Sequence, residues 1–167
     1  LDLELAARKR PSRRLAAKLE PLADDYDVAL LDCPPSVSMI SEAVLHAVAA
    51  VVAPVIPTTL SVRSLEQVRS VVAEGGAGAP RVLPFLSMVD RRKRLHREIA
   101  ERYANGADGF LRSVIPLASV VEQMGVRRLP VTAFAPRSPA AEAFSALWCE
   151  IVESTRNTGK ETPRKRT

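Results

Sequence analysis

At 167 residues and 18.1 kDa, the chain has one domain's worth of material, enough for a real core. Hydrophobic residues make up 47% but aromatics only 4%, which suits an Ala/Val/Leu-built α/β globule better than a sandwich. Cys33 and Cys149 lie far apart and match no metal-ligand spacing, so they are expected to be reduced thiols of a cytoplasmic protein. No apolar run approaches the ~20 residues that span a bilayer, and no signal peptide is expected.

The net charge of +5 is unevenly spread. Residues 156–167 hold five basic side chains (Arg156, Lys160, Arg164, Lys165, Arg166) against Glu161, a net +4. The folded part, expected over residues 1–155, is therefore close to neutral. The pI near 9.7 describes a basic tail over residues 156–167, expected to be disordered, more than a basic globule. Two local basic clusters stand out, over residues 8–14 and 91–102.

In chain order, residues 1–22 read as helical, broken near Pro11, with Leu15, Leu19 and Leu22 at helical spacing. Val28-Ala29-Leu30-Leu31 is too short for a helix and too continuous for a half-exposed strand. It reads as a strand buried on both faces, as in parallel sheets. The run stops at Asp32 and two prolines, which cannot continue a central strand. An acid at the carboxyl end of such a strand sits where open α/β sheets bind ligands; the lesser alternative is that Asp32 only caps the following helix. Residues 36–50 read as that helix, with Ser36 or Ser38 at its start and Ile40, Val44, Leu45 and Val48 inward.

Residues 50–56 form the second expected strand, where Pro54 suggests either a point with no ladder N–H or an edge. Ser61 is expected to cap a helix through Ala73, with Leu65, Val68 and Val72 inward. The glycine-rich stretch over residues 75–80 lacks the Lys and Ser/Thr of a phosphate loop and follows a helix, so it reads as a turn. Residues 82–89 form the third strand, ending at Asp90. The next helix, over residues 91–103, is basic, with Leu95, Ile99 and Tyr103 as its expected buried stripe. Its arginines either face water or meet DNA phosphates. Residues 110–115 form a fourth strand ending at Pro116. Residues 117–124 form a short helix closed by Gly125. Ser138 caps the last helix, with Pro139 in its first turn and Phe144, Leu147, Trp148, Ile151 and Val152 inward.

The string YDVALLDCPPS over residues 26–36 is far more specific than a strand followed by an acid. It resembles the Walker B region of the ParA/MinD (Soj-like) deviant-Walker ATPases, and the similarity continues. Residues 54–65 match the family's proline-bounded strand and helix start. Asp90-Arg91-Arg92 resembles its D-x-R segment, and Ile115-Pro116 its I-P turn. In residues 127–138, Arg127 and Arg128 replace a glycine and a lysine, while Pro136-Arg137-Ser138 keeps the family's ending.

The resemblance implies a mainly parallel α/β sheet flanked by helices, like P-loop NTPases. It also implies ATP with Mg²⁺, a nucleotide-switched homodimer, non-specific DNA, a ParB-like partner and a cytoplasmic, nucleoid-associated role in plasmid or chromosome partitioning. Carried over residue by residue, Asp32 would hold Mg²⁺ through water, and Pro34, Pro35 and Ser36 would form the γ-phosphate switch loop. Asp90 and Pro116 would border the base, and Arg91, Arg92, Arg94 and Arg97 would face DNA. The family's membrane-binding terminal helix has no counterpart here, so no membrane contact is expected.

The family's lysine-bearing phosphate loop and the segment with its water-activating aspartate do not occur in these 167 residues. The sequence is expected to be the later part of a longer ATPase. The alternative is a non-catalytic scaffold that keeps the fold without nucleotide. An amidating or metal-inserting ATPase of the same superfamily is a third reading.

Overall fold

The computed structural model describes residue 15 and residues 17–33, 44–45 and 47–156. Three strands, β1 (Ala50–Val55), β2 (Arg81–Val89) and β3 (Val114–Pro116), form a sheet in the order β1-β2-β3. Helix α1 (Thr59–Ala73) joins β1 to β2, and α2 (Arg94–Tyr103) joins β2 to β3. After β3 come α3 (Ser119–Arg127), the single turn α4 (Val131–Phe134) and α5 (Pro139–Arg156). The strands alternate with helices, the order that a parallel α/β sheet requires. β2 and β3 pair in parallel. The Arg81 N–H donates to the Ala49 carbonyl at 3.2 Å, so β1 and β2 begin side by side.

The chain divides into two compact units, Leu1–Val51 with Ser70–Arg81, and Val52–Arg69 with Val82–Thr167. In the first, Val72 on α1 is buried. In the second, Val55, Leu65, Leu86, Val89, Tyr103 and Phe110 form the main core. The rings of Tyr103 and Phe110 stack there with centroids 4.2 Å apart. A smaller cluster of Val131, Ala140 and Ala141, with Met124 and Phe134 against it, ties α3, α4 and α5 together.

Several expectations hold. Pro54 is exposed on β1, at one edge of the sheet among the described residues, where a missing N–H costs no ladder bond. Leu65 and Val72 on α1 point inward. Residues 76–78 make a short 3-10 turn, with Gly76 at φ 67°. Ser138 accepts the Ala141 N–H on its hydroxyl at 3.2 Å and so caps α5, with Pro139 at its first position.

Other expectations are corrected. Residues 26–33 form no strand; Val28 is 46% exposed and Leu30 73%. An interior strand requires ladder partners and covered faces, and apolar composition alone supplies neither. The cap of α1 is Thr58, not Ser61. The Thr58 hydroxyl accepts the Ser61 N–H at 3.2 Å and donates to the Ser61 hydroxyl at 3.0 Å. Helix α2 begins at Arg94, because residues 91–93 make a tight turn after β2. Leu95 is exposed, and His96 takes the buried place with Tyr103.

The fourth strand is only Val114–Pro116. Phe110 and Leu111 are buried but lie outside it. Gly125 lies inside α3; the helix ends at Arg128, whose φ of 51° is left-handed. Trp148 is 43% exposed rather than inward. The expected helices over residues 1–22 and 36–50 lie largely outside the described residues; Arg156, the first residue of the expected tail, is instead the last of α5, and residues 157–167 lie outside the described residues.

Candidate functional site

The carboxyl end of β2 departs from ordinary strand geometry. Leu86 stands opposite Val114 and Val89 opposite Pro116, so three steps on β2 match two on β3. The extra residue is a bulge, and Met88 absorbs it at a left-handed φ of 55°. Strict alternation would put Leu86 and Met88 on one face. The bulge rephases the strand, so Leu86 and Val89 are both buried while Met88 is 47% exposed.

Asp90 follows this bulge and is itself buried. Its backbone N–H donates to His96 Nδ1 at 3.0 Å, so the ring's other nitrogen carries the hydrogen of the neutral form. Its carboxylate grips Arg92 in a fork. Nε donates to Oδ1 and Nη2 to Oδ2, each at 2.9 Å, and the Arg92 backbone N–H donates to Oδ1 at 3.0 Å. The hydrogen bonds from the Arg92 side chain and backbone hold the Asp90 carboxyl at about 2, below its ordinary 3.8. The same pairing raises the Arg92 guanidinium.

The turn is closed by the Lys93 N–H donating to the Asp90 carbonyl at 3.1 Å. Arg97 reaches back from α2 and donates to the carbonyls of Arg91 at 2.9 Å and Arg92 at 3.4 Å. Arg94 pairs with Glu98 at 2.6 Å. Residues 90–97 are thus one cross-braced turn and helix start.

Pro116 ends β3 in register with Val89, and the Leu117 N–H donates to the Val89 carbonyl at 3.0 Å. Asp90 and Pro116 therefore stand together at the carboxyl ends of neighbouring parallel strands, the rim where open α/β sheets receive ligands. Of the expected site residues, the structure brings together Asp90, Arg91, Arg92, Arg94, Arg97 and Pro116. Asp32 is exposed in the irregular stretch of the other unit. Pro34, Pro35 and Ser36 lie outside the described residues.

Sequence reasoning missed His96 and Glu150. The spacing of His96, Ile99, Ala100 and Tyr103 is a helical stripe that signals an inward face. Glu150 on α5 accepts the N–H groups of Arg112 at 2.7 Å and Ser113 at 2.8 Å, and also the Ser113 hydroxyl. It clasps the segment that leads into β3 and Pro116. A carboxylate 37 residues from its partner carries no local sequence signal.

Among the described residues no group of three His, Cys, Asp or Glu side chains could hold a metal ion. Asp32 offers one carboxylate, so a Mg²⁺ ion there would depend on water and phosphate oxygens for the rest of its shell. The described residues do not build a metal site alone. No helix among them is long and apolar enough to cross a membrane.

A family model described as an AAA domain matches residues 1–75. An uncharacterised protein of Pseudomonas putida is 30% identical over 151 residues, covering 86% of this chain and 56% of that protein. The chromosome partitioning protein ParA of Caulobacter vibrioides is 27% identical over 164 residues, covering 94% of this chain and 61% of its own length. In fold, the chain matches the septum site-determining protein MinD of Pyrococcus horikoshii, solved with Mg-ADP. That match has a TM-score of 0.67 and 20% identity over 89% of this chain and 60% of MinD. The chain thus spans about three fifths of the length of the proteins it matches. Over the portion it spans, the chain is similar in sequence to ParA and shares its α/β fold with MinD.

Proposed function

We propose that this chain is the switch-side and base-side portion of a ParA-like ATPase that positions DNA cargo. In this reading it works with ATP and Mg²⁺, as a dimer, on non-specific DNA and with a ParB-like partner. The observation that carries the reading is similarity to a chromosome partitioning ParA over 94% of the chain. The motif over residues 26–36 supports it, as does the register that sets Pro116 opposite Val89, with Asp90 the next residue, at one strand-end rim. Asp32 would contribute the water-mediated Mg²⁺ carboxylate, and Pro34, Pro35 and Ser36 the switch loop. Asp90 and Pro116 would border the base. The basic turn over residues 91–97 would meet DNA phosphates.

The test is calorimetric titration of the chain with ATP and Mg²⁺. Saturable heat that weakens in Asp32→Asn supports the reading. A second reading, a scaffold that keeps the fold without nucleotide, is favoured by the lack of a Gly-x-x-x-x-Gly-Lys-Ser/Thr loop in these residues. Absence of heat at millimolar nucleotide, with salt-sensitive DNA retention intact, would select it.

A further inference from the structure

The basic turn after β2 is not a uniform arginine patch. Its cations fall into two groups by what they already hold. Arg92 is committed: its fork is closed on the buried Asp90 carboxylate, although the side chain itself is exposed. Arg94 is committed to Glu98. Arg97 keeps its charge but staples the carbonyls of Arg91 and Arg92. Arg91 and Lys93 alternate with these residues and are exposed, and among the described residues neither is ion-paired. Lys93 is fixed at its backbone by the bond to the Asp90 carbonyl, and its side chain projects from a turn braced on both sides.

We infer that Arg91 and Lys93 are the phosphate-contacting pair of this turn, and that Arg92 is a positioning residue that locks the turn through Asp90. The inference rests on the DNA reading above and divides its four arginines into different roles. Paired charges release fewer counterions on binding, because an adjacent carboxylate already meets part of their field even where the guanidinium is exposed. Cations without a salt bridge on a preformed turn reach phosphate without first ordering the loop.

The experiment measures retention of random-sequence duplex DNA by fluorescence anisotropy across a KCl series. Arg91→Ala and Lys93→Ala should each lower the slope of log affinity against log salt by about 0.9. Arg92→Lys and Asp90→Glu conserve charge but break the fork. Each should weaken retention roughly three- to tenfold at fixed salt, with the wild-type slope kept. A purely electrostatic role for Arg92 predicts that Arg92→Lys binds like wild type, and that result overturns the inference. So does an unchanged slope in both Arg91→Ala and Lys93→Ala. If the wild-type chain is not retained at low salt, the DNA reading itself fails, and a wild-type control separates the two failures. Should Asp90→Glu lose its thermal transition, Arg92→Lys alone decides.

Discussion

Removing the Glu150 carboxylate should loosen the route by which β3 reaches the rim. Glu150→Ala withdraws an acceptor from two backbone N–H groups and one hydroxyl at once. Hydrogen bonds to a charged group contribute a net ~1.5–3 kcal/mol each in favourable settings. Arg112 is exposed, so water replaces its bond at little cost. Ser113 is buried, at 9% exposure, and its N–H and hydroxyl are left without their partner. An unmet buried donor costs ~1–3 kcal/mol, so the loss should be about 3 kcal/mol. For a chain of this length that lowers the midpoint of thermal unfolding by roughly 6–12 °C. Glu150→Gln keeps the shape but turns an NH₂ toward a donor, and should cost about half as much. Urea unfolding followed by circular dichroism measures both variants, with exposed Glu153→Ala as the control near zero. A loss below about 0.5 kcal/mol for Glu150→Ala would refute the clasp.

Three further outcomes follow from the end of β2 and the turn after it. His96→Ala leaves the Asp90 N–H without its acceptor and opens space beside the core; stability should fall by about 2–4 kcal/mol in urea melts. The Asp90 carboxyl is held at about 2 against an ordinary 3.8. Its stabilising contribution is therefore complete above pH ~4 and drains away as pH falls toward 2. Unfolding midpoints measured from pH 6 down to 2 should drop less steeply in Asp90→Asn than in wild type, and parallel curves would contradict the pairing. Met88→Gly relieves a left-handed backbone at a partly exposed position and should change stability by less than about 1 kcal/mol, whereas Leu86→Ala should cost ~2–5 kcal/mol. Equal losses at the two positions would show that Met88 is a core residue and the bulge is misplaced.

The sequence was most informative where burial and local pattern agree. β1 and β2 stand close to where their Val-rich runs predict, because those side chains fill the core of their own unit. Ser138 as a cap was legible from a hydroxyl followed by proline. Residues 28–31 show the opposite case. Their apolar run matches a buried strand as well as β1 does, yet a strand exists only through neighbours, and Val28 and Leu30 are exposed here.

The bulge at Met88 was invisible for a related reason. Nothing in LSMVD marks an inserted residue, and a left-handed methionine contradicts local preference. It is held by the burial of Leu86 and Val89 on either side. Arg128 ends α3 in place of the nearby glycine because Val131, three residues on, enters the second core cluster and fixes where the chain must turn. At the rim, the acid at the end of β2 and the proline ending β3 were legible as separate motifs. Their register, and the engagement of Asp90 by Arg92, came only from the fold.

The central proposal is that the rim at the carboxyl ends of β2 and β3 receives nucleotide. It is tested most directly by titrating isotope-labelled protein with Mg-ADP and following backbone amides by NMR. The account predicts saturable shifts at Asp90 and Leu117, with Glu153 on α5 unmoved. Saturation with millimolar Mg-ADP that leaves the Asp90 and Leu117 amides in place would contradict it.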